Sequence, residues 1–424
     1  MPVKWRSLGG TWLVAGGATA FVAAVFAHPL GLATQPAFGW KRQLLTVAGL
    51  VAVGLGTWLL APAARGWRPR AEVTRAARGV ARLAGEHRGL MALLGFAVAA
   101  RVLVALSYWP GLLWGDSWSY ANMAFQGAPV LAMPYPQSGY PLAIHLISLP
   151  GRNVAAIVTI QHLAGLLTGV LVYALLARLR APRWAALVAA ALVMLSASTV
   201  VLEQRVLSET FFSLALVGAA YLTLATRRGP AALALAALLI AWAVTLRTAG
   251  LFVIPVWLVY LLATRLDRRV LANALVFLAL PLVSYAYWYH QGTGTFGFTQ
   301  ADGWFLYGRV AAIADCKHDP VPEETRGLCS TATLPPNRRS PADFVWDPDS
   351  PARHAYDMFD GDVARRKHGN ATLRKFALTV IVHHPVDYVR VVGDDFVRFF
   401  TDAPTLRPEV GLAAGVARDT PAER

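Results

Sequence analysis

The sequence is poor in charge. Only 15% of its 424 residues are Asp, Glu, Lys or Arg, and only five of those are Lys. A soluble domain carries about 25% charge, so this chain cannot cover a water-facing surface of its size. Carboxylates are scarcer still over the first two thirds: Glu72, Glu86, Asp116, Glu203, Glu209 and Asp267 are the only ones before residue 290. Cysteine is nearly absent, with Cys316 and Cys329 alone. That excludes a disulfide-rich mini-protein, and two Cys beside His318 fall short of a closed zinc site. What the chain has is apolar sequence, 56% of it hydrophobic with a mean hydropathy of +0.46. Soluble enzymes and disordered chains are excluded, leaving an all-α polytopic membrane protein.

Nine apolar runs are long enough to cross a bilayer, which takes ~20 residues: 11–30, 44–61, 89–108, 154–177, 184–200, 209–226, 231–246, 249–264 and 270–288. A shorter apolar piece, 139–150, is expected at the interface. The net charge of +15 does not signal nucleic acid, because the Arg residues cluster in short segments between spans. With the N-terminus inside, seventeen Lys and Arg fall on cytoplasmic connections and five on outer ones. The positive-inside rule then fixes the orientation. An odd number of spans puts residues 290–424 outside the cytoplasm. We read residues 1–88 as two spans and a basic loop, 89–289 as a transmembrane core with an outer loop at 109–153, and 290–424 as a small extracytoplasmic domain. That last segment holds 18 of the 24 acidic residues and is expected to form helices near 353–368, 371–383 and 386–400. In an oxidising compartment Cys316 and Cys329 are expected to pair.

Three of the scarce carboxylates, Asp116, Glu203 and Glu209, fall on the outer side at span ends. Asp116 sits in Leu113-Trp114-Gly115-Asp116-Ser117-Trp118-Ser119-Tyr120. Trp114, Trp118, Ala121 and Phe125 recur at helical spacing, so an interfacial helix is expected with Asp116 at its start and that apolar stripe on one face. Asp is also a preferred helix N-cap, a role compatible with catalysis.

An outward Gly-Asp-Ser-x-x-Tyr after a span, followed by Ser138-Gly139-Tyr140-Pro141-Leu142 opening a short helix, resembles the GT-C glycosyltransferases. These are membrane enzymes of the protein O-mannosyltransferase and aminoarabinose-transferase types. The likeness runs over 89–265 and includes Tyr173 to Arg183, Ser208-Glu209 and Arg247-Thr248. It implies a polyprenyl-phosphate sugar donor, a glycan, lipid or protein acceptor, and an acidic base in the first outer loop. The segment 109–138 holds Asp116 but not the second acidic residue of many members, so a divalent cation is the one cofactor left open.

The chemistry fits the residues. An acceptor hydroxyl needs a base, and Asp116 is placed to be one, in an aromatic setting of Trp114, Trp118 and Tyr120 that is expected to favour it in that role. The departing lipid phosphate needs cations, and guanidinium donors match its geometry. Arg247, in a tight outer turn, is the expected clamp; for Arg205, interfacial snorkelling weighs slightly more than phosphate binding. Tyr120, Tyr140 and Glu209 complete the candidate set, with Glu203 or Glu209 expected to pair with Arg205. His145 and His162 are expected to be hydrogen-bonded core residues. Trp304, Tyr307 and Arg309 are read either as a sugar-binding shelf or as packing. The sequence thus predicts an inverting glycosyltransferase of envelope glycan, glycolipid or glycoprotein assembly in the cytoplasmic membrane. The rival readings are a flippase for lipid-linked sugars, whose intramembrane ionisable groups would be Arg101, His145 and His162, and a non-enzymatic envelope scaffold.

Overall fold

The computed structural model describes residues 87–113, 115–125, 133–148, 153–225, 229–264, 266–329, 334 and 340–401. The expected spans 11–30 and 44–61, together with Trp114 and Arg152, lie outside these residues. The chain divides into two compact units: among the described residues one holds those up to 125 together with 136–288, and the other holds 133–135 and those from 289 on. Among the described residues secondary structure is helical throughout, apart from one isolated bridge between Leu112 and Arg205.

The first unit contains α1 (Arg88–Ser107), α2 (Asp116–Phe125), α3 (Gly139–Ile147), α4 (Val154–Arg178), α5 (Arg183–Leu195), α6 (Ala197–Gln204), α7 (Glu209–Leu224), α8 (Pro230–Leu246), a 3-10 turn at Thr248–Phe252 running into α9 (Val253–Ala263), and α10 (Arg268–Thr293). Every run read as a span after residue 87 has a helical counterpart. By length and apolar composition α1, α4 and α10 can cross a membrane, and α5 with α6 makes a fourth span bent by 44°. α7, α8 and the Thr248–Ala263 segment are apolar but shorter. The chain is therefore a membrane protein.

Local sequence explains the helix starts. The Asn153 side chain accepts from Ala156 N–H at 3.2 Å to cap α4, and Pro230 stands in the first turn of α8, where its missing N–H is harmless. Small residues let helices approach, as membrane packing requires. A Cβ on Gly139 would lie 2.6 Å from the Thr245 carbonyl oxygen, so the start of α3 is pressed against the end of α8. Gln161 on α4 ties the outer ends together, donating to the carbonyls of Glu203 (2.8 Å) and Arg205 (2.6 Å). Leu112 donates to the Gln204 carbonyl (3.0 Å) and accepts from Val206 N–H (3.1 Å). These bonds hold the approach to α2 alongside the α6–α7 connection.

The second unit contains α11 (Asp302–Val310), a 3-10 turn at Glu323–Cys329, α12 (Pro341–Trp346), α13 (Pro351–Ala355), α14 (Val363–His383) and α15 (Pro385–Thr401). Its core gathers Trp304, Tyr307, Leu328, Phe344, Leu373, Phe376 and Val380. Trp304 and Tyr307 are thus interior residues rather than a sugar shelf, and Arg309 pairs with Asp395. The expected helix at 353–368 breaks, because Asp362 caps a new helix by accepting from Ala364 N–H at 2.7 Å. Cys316 and Cys329 form the expected disulfide, with their Cα atoms 5.9 Å apart.

Candidate active site

Three helix starts and one helix end meet around Tyr120. Asp116 is the first residue of α2, preceded by Gly115 at φ +47°. A side chain is strained at that angle, so glycine makes the sharp entry into the helix. Asp116 stands inside the first turn rather than at the cap, and the helix dipole favours its negative charge there. The two faces of α2 are clearly separated. Ser117, Tyr120, Met123 and Ala124 are buried, while Trp118 on the apolar stripe is 58% exposed. The small and hydroxyl-bearing face packs into a cluster with Tyr140, Ile144, Ile157 and Phe211, and the Trp face is turned outward.

Tyr120 is buried, and its hydroxyl lies 3.2 Å from Ser208 Oγ. Burial pushes the phenol far above its usual range, the Ser208 hydrogen bond opposes this, and the charges of Asp116 and Glu209 raise it further while Arg247 lowers it. The Tyr120 ring stacks edge-on against Tyr140, with centroids 4.8 Å apart. Tyr140 is fully buried and donates its hydroxyl to Gln161 Oε1. It supports Tyr120 from beneath, and burial holds its phenol protonated as well.

Glu209 opens α7, and Arg247 ends α8 in extended backbone (φ −151°, ψ 132°) before the 3-10 turn. Their side chains form an ion pair, both partly exposed. The second carboxylate oxygen of Glu209, Oε2, is buried without a hydrogen-bond partner. Arg205 ends α6 and contributes its backbone to the bridge with Leu112. The residues nominated from sequence, Asp116, Tyr120, Tyr140, Glu209 and Arg247, are therefore brought together by the fold. Among the described residues no group of three His, Cys, Asp or Glu converges as a metal site would require.

Sequence reasoning missed the partner of Glu203. Its carboxylate accepts from Arg101 Nε and Nη2, both at 2.7 Å, and bonds His162 Nδ1 at 2.8 Å. Arg101 also donates to the carbonyls of Ala97 (3.1 Å) and Met194 (2.9 Å). All three side chains are buried. A Cβ on Gly165 would sit 1.8 Å from Glu203 Oε1, so glycine there vacates the space that the carboxylate fills. His162 Nε2 bonds the Gln204 side chain at 2.9 Å, which agrees with its reading as a core histidine. His145 Nδ1 likewise meets the Ala124 carbonyl at 3.1 Å. The available signal was an Arg inside one span and a Glu near the end of another. Such charges in a bilayer are expected to find each other.

Residues 138–288 match the model of the dolichyl-phosphate-mannose-protein mannosyltransferase family, a family of the GT-C superfamily. No curated protein and no solved structure matches the chain. The matched segment contains α3 to α10 apart from the last turn of α10, and with them Tyr140, Arg205, Glu209 and Arg247; Asp116 and Tyr120 precede it. The match supports a membrane glycosyltransferase.

Proposed function

We propose that this protein is an inverting glycosyltransferase that moves a sugar from a polyprenyl-phosphate donor to an acceptor hydroxyl at the outer face of the cytoplasmic membrane. The observation that carries this reading is the convergence of Asp116, Glu209 and Arg247 on the buried Tyr120. It joins two carboxylates and a guanidinium at the ends of membrane helices.

The proton and the charge are divided as follows. Tyr120 and Tyr140 keep their protons, since burial disfavours both phenolates. The base is therefore a carboxylate, and Asp116 is it: Glu209 is engaged with Arg247, whereas Asp116 leads the short helix that follows α1. Asp116 takes the proton of the acceptor hydroxyl as that oxygen attacks the anomeric carbon. The bond from that carbon to the phosphate oxygen breaks, and the negative charge left on the lipid phosphate is met by Arg247. Glu209 holds the Arg247 fork in place and, through its unpartnered oxygen, accepts a sugar hydroxyl. Arg205 adds a second cation. The second unit, on the extracytoplasmic side, receives the acceptor. A flippase is the weaker reading, because Arg101, the intramembrane charge it would use, is engaged with Glu203.

The test is release of free polyprenyl phosphate from a panel of labelled polyprenyl-phosphate sugars by membranes carrying the protein, with extracted envelope as acceptor. One donor should react, and Asp116→Asn should slow that release by about 10²–10⁴-fold, the usual worth of a positioned base. Undiminished transfer by Asp116→Asn would refute the assignment of the base.

A further inference from the structure

We infer that the second unit carries its own seat for anionic lipid: a groove on α14 for the phosphate headgroup and an aliphatic stripe on α15 for the acyl boundary. Two independent observations support this.

The first is a groove of about 670 Å³ along one face of α14, lined by Lys367, Arg374, Lys375, Leu378, Val382 and His383 among others. Its cations follow one another at helical spacing, and the aliphatic pair Leu378 and Val382 continues the same face toward the end of the helix. Lys367 donates to the Gly294 carbonyl, and Arg374 lies 3.6 Å from Asp302. Lys375 has no hydrogen bond or ion pair from its ammonium to any described residue. On the wall, the Gln300 side chain is buried and its Oε1 has no partner.

The second observation is α15. Val386, Val389, Gly393, Phe396 and Val397 recur at three- and four-residue intervals and make one apolar stripe. That stripe faces away from the core, where Tyr388 packs. At the start of the stripe Val386 and Val389 are each 69% exposed, and Val382, at the end of the groove, 71%. Exposed aliphatic side chains grouped in the manner of Val382, Val386 and Val389 mark an interaction surface.

A lipid surface is the occupant that accounts for both halves. Interfacial helices bury an aliphatic face at the acyl boundary and set cations at the headgroups. Arg390, which donates to Asp387 at 3.0 Å, borders the stripe on α15, where its aliphatic stem can lie along the boundary. A bilayer is also always within reach, because the unit's chain continues from α10, a helix able to cross it.

The experiment uses the full chain in lipid nanodiscs. Both native cysteines are in the disulfide, so an environment-sensitive fluorophore can be placed singly at Val389→Cys, at Val386→Cys and, as a control, at exposed Ala342→Cys on α12. In discs containing anionic lipid, spin-labelled lipids should quench the first two probes and leave the Ala342→Cys probe bright. Lys375→Glu should lower the docked fraction about five-fold, since a Lys near an anionic surface contributes ~1 kcal/mol. Inorganic phosphate at matched ionic strength should not reverse docking. Equal quenching at all three positions, or none at the two α15 positions, overturns the inference. Quenching indifferent to lipid charge and to Lys375→Glu removes the headgroup seat. Displacement by phosphate would make the groove a site for soluble anions, and disulfide crosslinking of Val389→Cys between molecules would assign the stripe to a second copy.

Discussion

Replacing Glu203 by Gln isolates the energetics of the buried network. Glu203 accepts two bonds of 2.7 Å from Arg101 and meets His162 at 2.8 Å, and both partners are buried between helices. Glutamine keeps the shape but removes the charge, so the Arg101 guanidinium is left with two backbone carbonyls for its compensation. Truncating one side of a buried pair destabilises by about 3–5 kcal/mol. An Arg at the centre of a membrane helix is disfavoured by about 2.5–3.5 kcal/mol on insertion scales. Both lines of argument converge on about 3 kcal/mol, which is more than a hundredfold in the folding equilibrium. The double change Arg101→Met with Glu203→Leu removes both charges together and should be less destabilised than either single change. Equilibrium unfolding by SDS titration in mixed micelles measures all three. A Glu203→Gln protein within about 0.5 kcal/mol of wild type, or a double variant worse than the sum of the singles, would refute the claim that this pair is mutually dependent.

Further expectations concern single sites. Gly165→Ala forces a Cβ onto the Glu203 carboxylate, and overpacking of this kind should destabilise by about 1–3 kcal/mol in the same titration. Arg247→Lys keeps the charge but loses the planar fork; it should slow transfer while Tyr120 and Asp116 stay in place, measured as release of polyprenyl phosphate. Opening the Cys316–Cys329 disulfide, by Cys316→Ser with Cys329→Ser, relaxes a loop of 14 residues. It should lower the stability of the second unit by about 3 kcal/mol, read from its susceptibility to proteolysis. Asp315 accepts from His318 at 2.6 Å, which lowers the pKa of the carboxyl and raises that of the imidazole. Their mutual support is present above the unfolded Asp pKa and below the unfolded His pKa. It is lost as pH falls through the lowered Asp315 value or rises through the raised His318 value. An NMR titration should show His318 returning to its ordinary range in Asp315→Asn.

Much of the fold could be read from composition and periodicity. Apolar runs of about 20 residues mark the membrane helices, since a bilayer leaves the backbone no partner outside its own helix. The starts of the runs 154–177 and 231–246 fall within a residue of the helix starts, where Asn153 caps the one and Pro230 tolerates its missing N–H in the other. The candidate site was legible because carboxylates are so rare before residue 290 that Asp116, Glu203 and Glu209 stood out. What could not be read was partnership. Glu203 or Glu209 was expected to pair with the nearby Arg205, whereas Glu203 meets Arg101 and Glu209 meets Arg247, each on another helix.

The sequence by itself determined that the chain lives in a membrane, where its helices lie, which acids are available for chemistry, and that two cysteines in the tail would join. Each of these follows from local composition or from simple scarcity. Only the tertiary structure decided that Glu209 meets Arg247, that Glu203 meets Arg101 and His162, that Tyr140 lies beneath Tyr120, and that Trp304 and Tyr307 belong to a core. Those pairings join residues from about 20 to more than 100 positions apart. They are set by which small residues let helices approach, as at Gly139 and Gly165, and by the need of each buried polar group to find a partner that the chain nearby does not supply.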